Sequence, residues 1–196
     1  MEFQQVVRKR RMVRAFDARP IPPDLLQRIL ENAQRGPSAG HTQGYAFLVL
    51  EGAEETQRYW NAVLPAARRE LFPWPGLLRA PVLIVPLADE HAYLERYAEA
   101  DKQRPPGDER GWPTPYWHID AGFAALLMLL TATDAGLGAL FFSVADIAAF
   151  RNAFGVPDRL HPIGAIALGY PLPERRSSSL RRGRRPEAEV IHRGRW

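Results

Sequence analysis

The longest apolar run of the 196-residue chain, "AGFAALLMLLTATDAG" at 121–136, most constrains what this sequence can fold into. It is shorter than the roughly 20 residues that a helix needs to cross a bilayer. It also carries three polar residues, Thr131, Thr133 and Asp134. A helix this apolar has to be covered on most sides by other parts of a folded protein. The run therefore predicts a buried helix at 118–135.

The overall composition fits one folded domain without a membrane segment. Hydrophobic residues make up 46% of the chain, which is too many for a disordered protein. There is no cysteine, so disulfides, thiolate nucleophiles and cysteine-ligated metals are excluded. Residues 1–12 are polar and basic, without the apolar segment of a signal peptide. We expect a single domain over residues 1–196 in the cytoplasm.

Helical and strand patterns alternate along the chain at variable spacing, which favours an α+β sandwich around one sheet. The segment at 22–36 illustrates the helical pattern, because Leu26, Ile29 and Ala33 recur at helical spacing. Helices are predicted at 2–10, 22–36, 54–70, 118–135 and 144–155. A buried strand is predicted at 45–52, and further strands are predicted at 79–89, 136–143 and 162–170. The final segment, "EVIHRGRW", is expected to add an edge strand to this chain or to a partner.

The interval 90–117 differs from its surroundings in composition. It combines prolines and glycines with charged and aromatic residues, which is typical of a hinged excursion. We interpret it as a mobile lid whose flat side chains stack an aromatic substrate. The alternative is a surface loop whose aromatic residues pack only on their own chain. The aromatic residues are Tyr93, Tyr97, Trp112, Tyr116 and Trp117.

Positive charge is concentrated at both ends of the chain. Residues 8–19 carry six Lys or Arg and residues 175–185 carry six Arg, although the formal net charge is only +4. Such ends can be solvated faces, a nucleic-acid arm or a membrane contact. They can also converge on one anion, for which the planar donor fork of arginine is well suited.

Further motifs point to a flat ligand rather than to side-chain catalysis. The segment "PSAGHTQG" at 37–44 is a tight loop in which Gly40 permits close backbone approach, although an ordinary turn has the same composition. "GLGALFF" lacks the complete dinucleotide pattern, and we interpret it as a strand edge that offers backbone N–H groups to a ring. The histidines form no metal-binding pair, and no nucleophile elbow or phosphate loop is present. Such a protein, if an enzyme, borrows the chemistry of a cofactor.

Taken in order, these pieces resemble the nitroreductase family of FMN-dependent oxidoreductases. "KRRMVRAFD" resembles the family's "RRSxRxF" segment, and "GPSAGHTQGYAFLVL" resembles its "APSxxNxQPWxFxVv" segment. "APVLIVPLAD", the central "DAGFAALLMLLTATDAGLGALFF" and the ending "HPIGAIALGYPLPE" with "RRPEAEVIHRGRW" follow in the family's order. The resemblance implies a mainly antiparallel sheet with helices on both sides, in an intertwined homodimer with FMN at the interface.

The resemblance also implies the site residues. Arg10 and Arg14 match the cofactor-binding arginines, Arg184 matches the phosphate-binding residue of the tail, and Arg182 is expected to assist it. The remaining expected cofactor contacts are Arg11, Met12, Pro37, Ser38, Ala39, Gly40, Gln43, Phe142 and Ser143, and the expected substrate contacts are His41, Tyr97 and Trp112. No side chain is expected to be catalytic and no metal to be bound.

This chain departs from the family pattern at three positions. Met12 replaces the usual serine, His41 stands where asparagine is common, and Gly44 replaces proline. The first change removes a hydroxyl contact to the cofactor. The other two put the details of ring binding in doubt, but they leave the expected phosphate site unchanged.

The implied reaction is ping-pong. Hydride passes from NADH or NADPH to the flavin and then to a small acceptor such as a nitroaromatic or a quinone. Two other activities within the same family remain as alternatives for this chain, reductive dehalogenation and flavin fragmentation. From another class, a basic nucleic-acid-binding module would explain the arginine runs but not the apolar helix, so we expect neither a nucleic-acid nor a membrane partner.

Overall fold

A computed structural model describes residues 1–102, 112–175 and 177–196. Its centre is an antiparallel sheet with the strand order β1-β2-β5-β3, in which the short strand β4 also pairs with β2. This arrangement confirms the expected α+β class and the antiparallel sheet. The strands are β1 Tyr45–Glu51, β2 Val82–Asp89, β3 Gly138–Phe142, β4 Leu160–Pro162 and β5 Ala165–Gly169.

Helices cover both faces of this sheet. The α-helices of the described residues are α1 Phe3–Lys9, α2 Pro23–Ala33, α3 Gly52–Val63, α4 Ala66–Arg69, α5 Glu90–Ala98, α6 Tyr116–Asp134 and α7 Ile147–Phe154. Strand β2 shows how the two faces arise, because side chains alternate along a strand. Leu83 and Val85 pack in a cluster with residues of α3 and α7, whereas Val82 and Ile84 pack with α2 and α6. The strand was predicted from the sequence, and the structure shows that it is buried along its whole length.

The long apolar run forms α6, which packs against α2 and the sheet. Its small and flexible residues Ala121, Ala124 and Met128 are fully buried, and their size lets neighbouring elements approach closely. The opposite side of the helix leaves Phe123 and Leu126 exposed by 41% and 45%. Within the described residues, none of the helices is long and apolar enough to span a membrane.

Two elements differ from the sequence prediction through local chemistry. The helix predicted over 54–70 breaks after Val63, because Pro65 has no N–H to donate and favours an extended preceding residue. Strand β1 is half-buried rather than a core strand, since it lies at the edge of the sheet. The three-residue strand β4 was not predicted and is too short to produce a periodic pattern.

The chain end does not extend the sheet. We expected "EVIHRGRW" to form an edge strand, but it pairs with no strand of this chain and leaves Trp196 98% exposed. The edge beside β3 is already occupied, because Met12 bridges to Ala139 and the Val13 N–H donates to the Ala139 carbonyl at 2.9 Å. Pairing of this segment with a partner chain stays a prediction.

The interval 90–117 is more regular than the predicted lid. Its first part is helix α5, which begins where the Asp89 carboxylate accepts a hydrogen bond from the Ala92 N–H at 3.3 Å. Tyr93 and Trp117 are buried in a small core with Ala121. The aromatic residues at the two ends of the interval thus pack on their own chain. Residues 103–111 lie outside the described part, so the lid proposal is limited to what surrounds them.

Candidate functional site

The structure brings the two basic ends of the chain to one cleft of about 710 Å³. The N-terminal segment leaves α1 at Arg10, and the C-terminal segment joins it where the Leu172 N–H donates to the Ala15 carbonyl at 2.9 Å. Residues from both segments therefore face each other across the opening. The cleft is lined by Arg10, Arg11, Met12, Arg14, Pro173, Glu174, Ser177, Ser179, Leu180 and Arg184.

The donors of this cleft suit an anion. The Nη1 atom of Arg10 is buried and has no hydrogen-bond partner among the described residues, which is unusual because a buried polar group without a partner is costly. The guanidinium of Arg14 lies over the Trp74 ring, 5.1 Å from its centroid, and its Nη1 donates to the Met12 carbonyl at 3.3 Å. Arg184 approaches from the exposed tail. A phosphate group would provide acceptors for these donors.

Two expected residues of the basic ends differ from Arg10, Arg14 and Arg184: Arg11 lines the cleft but is paired, and Arg182 does not line it. Arg11 forms an ion pair with Glu174, with 2.9 Å between Nη1 and Oε1. Arg182 is exposed and is not among the residues that line the cleft. Glu174 was not singled out in the sequence, because nothing in its local pattern indicates a contact with residues 160 or more positions away.

Arg14 also lines a second, apolar cleft of about 320 Å³. Phe142 and Ser143 at the end of β3 form one wall, and the ring of Trp60 stacks on Phe142 with 5.6 Å between centroids. The hydroxyl of Tyr59 and the indole N–H of Trp60 are buried there without partners. Burial raises the pKa of Tyr59, so its hydroxyl stays protonated. An aromatic cleft with partnerless donors suits a flat ring that carries carbonyl oxygens.

Sequence reasoning missed Tyr59, Trp60 and Trp74. The helical spacing of Tyr59 and Trp60 in α3 indicates burial, but it does not show which cavity they reach. Trp74 follows Pro73 in an irregular segment before the short helical turn Pro75–Arg79, where no periodic pattern exists. The contact of Trp74 with Arg14 and its place in the wall of the second cleft relate it to the site.

The loop at 37–43 has an unfavourable backbone conformation, which hydrogen bonds to neighbouring helices hold in place. Gly40, His41 and Gln43 have positive φ angles of 62°, 53° and 53°. Such angles favour glycine and cost free energy at other residues. The carboxylate of Asp120 accepts hydrogen bonds from the Ala39 N–H at 2.8 Å and from the Tyr93 hydroxyl at 2.6 Å. These contacts fix the first half of the loop to helices α6 and α5.

The second half of the loop is held from inside and from α5. The Gln43 N–H donates to the Ser38 hydroxyl at 2.8 Å, and the Arg96 Nε donates to the Gly40 carbonyl at 3.1 Å. A Cβ atom at Gly40 would lie only 2.8 Å from the Tyr97 ring, so glycine permits this close packing. Asp120 and Arg96 were not predicted, since both act through long-range contacts.

The three expected substrate residues gather around this loop. Tyr97 packs against Gly40, and its ring lies 4.6 Å from that of Trp112, centroid to centroid. The Nε2 atom of His41 lies 3.0 Å from the side-chain nitrogen of Gln43. All three residues therefore lie around the Pro37–Gln43 loop, and their contact with a substrate stays a prediction.

Within one chain, this loop lies far from the arginine cleft. The loop precedes β1 at one edge of the sheet, whereas Met12 bridges to β3 at the other edge. Three strand spacings, or about 14 Å, separate β1 from β3, and the Met12 segment lies one spacing further, about 19 Å from β1. None of the residues 37–43 lines the arginine cleft or the apolar cleft. The described residues also contain no group of acidic or histidine side chains that could hold a metal ion.

Comparison with known proteins decides the family. The model of the nitroreductase family matches residues 7–170. This chain belongs to the nitroreductase family. The family resemblance that was inferred from the sequence motifs is thereby confirmed.

A protein of Methanothermobacter thermautotrophicus, named for NADH dehydrogenase and NAD(P)H nitroreductase activity, is 28% identical over 176 residues, covering 87% of this chain and 78% of the relative. An NADPH-dependent oxidoreductase of Staphylococcus aureus is 25% identical over 195 residues, covering 97% and 72%.

Among solved structures, a nitroreductase family protein of Clostridium difficile has a TM-score of 0.73 at 22% identity, with all of both chains covered. A nitroreductase-type protein of Desulfovibrio desulfuricans, solved in complex with FMN, has a TM-score of 0.73 at 24% identity, covering 100% of this chain and 98% of its own. At these identities the structures establish the shared fold.

Proposed function

We propose that this nitroreductase-family protein is an FMN-dependent oxidoreductase that uses NADH or NADPH to reduce a small acceptor. The carrying observation is the convergence of Arg10, Arg14 and Arg184 in one cleft, with a buried and partnerless Arg10 nitrogen. When bound, FMN would supply a two-electron carrier that takes hydride from the nicotinamide and passes it to a nitroaromatic or a quinone. The FMN complex of the similar Desulfovibrio desulfuricans protein supports this assignment.

The two clefts would divide the cofactor between them. Arg10 and Arg184 would bind the phosphate through charge-assisted hydrogen bonds. Arg14 lines both clefts and would place its positive charge beside the ring, where it stabilises the negative charge of the reduced state. Phe142 and Ser143 would lie against the ring, and their aromatic surroundings would exclude water from that side.

A second copy of the chain would complete the site. The Pro37–Gln43 loop lies at the opposite edge of the sheet, so it would reach a cofactor in the arginine cleft of a partner rather than of its own chain. The exposed Phe123 and Leu126 of α6 provide apolar surface for such a partner. His41, Tyr97 and Trp112 would then face the acceptor from the second chain, and the interval 90–117 would cover it.

Anaerobic stopped-flow kinetics with the FMN-loaded protein test the reaction. Mixing with NADH or NADPH should bleach the flavin absorbance, and subsequent mixing with a nitroaromatic or a quinone should restore it. A halogenated tyrosine in the acceptor panel separates the dehalogenase alternative. If neither nicotinamide bleaches the bound flavin, the proposed oxidoreductase function is wrong.

Sedimentation equilibrium tests the assembly. The homodimer should give about twice the 22.1 kDa chain mass. A monomer that retains FMN would contradict the shared site, because the Pro37–Gln43 loop of the same chain cannot reach the arginine cleft across about 19 Å of sheet.

A further inference from the structure

Among the described residues, Glu174 is the one acidic residue that lines the arginine cleft. Its side chain is only 8% exposed. Its Oε1 atom accepts from Arg11 Nη1 at 2.9 Å, and its Oε2 atom accepts from the Arg14 N–H at 2.5 Å. A carboxylate placed where an anion is expected to bind needs an explanation, because like charges repel.

The position of Glu174 in the fold supplies that explanation. The residue follows the last strand pairing at the C-terminal end, after Leu172 donates to the Ala15 carbonyl. Beyond it, the tail that carries Arg184 is exposed throughout residues 181–196. Among the described residues, the contacts of Glu174 with Arg11 and Arg14 are therefore the last hydrogen bonds along the chain that join the tail to the N-terminal arginine segment.

We propose that Glu174 is a positioning residue that fastens the two basic segments together across the phosphate cleft. This inference rests on the proposed function, since it concerns the affinity of the same cleft for FMN. Its partner Arg11 acts through this ion pair and does not itself bind the phosphate. The guanidinium groups of Arg10, Arg14 and Arg184 stay available, because none of them is paired with Glu174 in the described residues.

Two arrangements of the same residues give opposite expectations. If Glu174 positions the tail, its loss separates Arg184 from Arg10 and weakens phosphate binding. If Glu174 only adds negative charge beside the phosphate, its loss strengthens phosphate binding, because a repulsive charge is removed. The two arrangements also differ in the role of Arg11. In the first, Arg11 acts only through its ion pair with Glu174, and in the second it contacts the phosphate directly.

A double-mutant cycle separates them. FMN and riboflavin are titrated against the dimeric apoprotein and its variants Glu174→Gln, Arg11→Gln and the double variant, with flavin fluorescence as the signal. Riboflavin has the same ring but no phosphate, so it reports damage outside the phosphate cleft. We expect each single variant to bind FMN about tenfold more weakly, the size of one charge-assisted hydrogen bond, with riboflavin affinity unchanged.

The double variant decides the role of Arg11. If the pair acts as one unit, the double variant also binds about tenfold more weakly, because the second change removes nothing further. A loss of about a hundredfold, the product of the two single losses, would show that Arg11 contacts the phosphate independently and would overturn the inference. Tighter FMN binding by Glu174→Gln would overturn it as well.

Amide hydrogen exchange provides a measurement that is independent of flavin. Glu174→Ala removes the acceptor of the Arg14 N–H, so exchange at that amide should speed up while the amides of β2 keep their protection. Unchanged exchange at Arg14 would contradict the contact itself. If the wild-type protein does not bind FMN, the proposed function is wrong. That result differs from unchanged exchange at Arg14, which would contradict only the role of Glu174.

Discussion

Two polar regions of this protein are built from residues far apart in sequence, but they differ in how their donors are satisfied. Around the Pro37–Gln43 loop, the Ala39 N–H and the Tyr93 hydroxyl both donate to the buried carboxylate of Asp120. In the arginine cleft, Arg10 has a buried nitrogen without a partner. A satisfied network makes a rigid support, whereas unsatisfied cationic donors are suited to an anion from outside the chain. The first region is therefore interpreted as scaffold and the second as binding site.

The largest expected effect is a loss of stability when the hydrogen bonds around the Pro37–Gln43 loop are removed. Replacing Asp120 by alanine leaves the Ala39 N–H and the Tyr93 hydroxyl without their acceptor in the interior, where each lost partner is costly. We expect the free energy of unfolding to fall by about 3 kcal/mol, measured by urea denaturation of the apoprotein at pH 7. Asp158→Ala is the matched control, because Asp158 is fully exposed and its loss should change little. Equal losses in both variants would contradict the scaffold role.

The binding site should respond in affinity rather than in stability. Arg10→Ala or Arg184→Ala should each weaken FMN binding by roughly 10- to 150-fold, equivalent to about 1.5–3 kcal/mol, because one charge-assisted phosphate contact is lost. Urea denaturation of the apoprotein should be nearly unchanged, which is the opposite of Asp120→Ala.

Arg185→Ala is the control for these two variants, since Arg185 lies in the same tail but pairs with Glu189. Arg176, another candidate control in this tail, lies outside the described residues. If Arg10, Arg184 and Arg185 all give the same loss of affinity, a diffuse positive surface rather than a defined cleft binds the cofactor.

A smaller effect is expected where the two regions would meet across a dimer. Trp112→Ala or Tyr97→Ala should change kcat/KM for the acceptor by about tenfold, because the rings are proposed to cover the acceptor. FMN affinity should stay near that of the wild type, since the arginine cleft is elsewhere. Stopped-flow measurement of flavin reoxidation follows the transfer of electrons to the acceptor separately from flavin reduction. Acceptor kinetics that respond to neither variant would assign acceptor choice to other residues.

The smallest expected effect concerns the outer support of the loop. Hydrogen bonding from Arg96 is the main cause that lowers the pKa of Asp101 below its ordinary value of 3.8. A carboxylate whose pKa is lowered by folding stabilises the protein above its unfolded pKa, and this contribution is lost as the pH falls through the lower folded value. Urea denaturation should therefore show Asp101→Asn less stable than the wild type at pH 7, with the difference shrinking as the pH falls below 3.8.

Salt should reduce that small difference, because both side chains of the pair are in contact with solvent. A stability difference that is independent of pH would mean that Asp101 acts by packing and not by its charge.

The sequence indicated the residues of the arginine cleft better than those that support the Pro37–Gln43 loop. Arg10, Arg14 and Arg184 lie in recognisable motifs, and the structure brings all three to one cleft. Asp120 and Glu174 could not be predicted, because their roles depend on contacts 81 and 160 or more residues away along the chain.

Composition was misleading in the interval 90–117. Its prolines and glycines predicted an excursion, but they are concentrated after residue 104, and the preceding segment begins at a capped helix. Tyr93 on that helix is fully buried and bonded to Asp120, so part of the predicted lid supports the loop instead. Aromatic residues alone do not distinguish these roles, since they suit both a core and a substrate surface.

The central claim is that the arginine cleft binds the phosphate of FMN, and parallel calorimetric titrations of the apoprotein with FMN and riboflavin test it most directly. We predict that FMN binds at one site per chain and at least tenfold more tightly than riboflavin, the minimum expected for one charge-assisted phosphate contact. The bound flavin should also show the absorption bands of a flavoprotein. Equal affinity for the two flavins, or a colourless protein that takes up neither, would contradict the account.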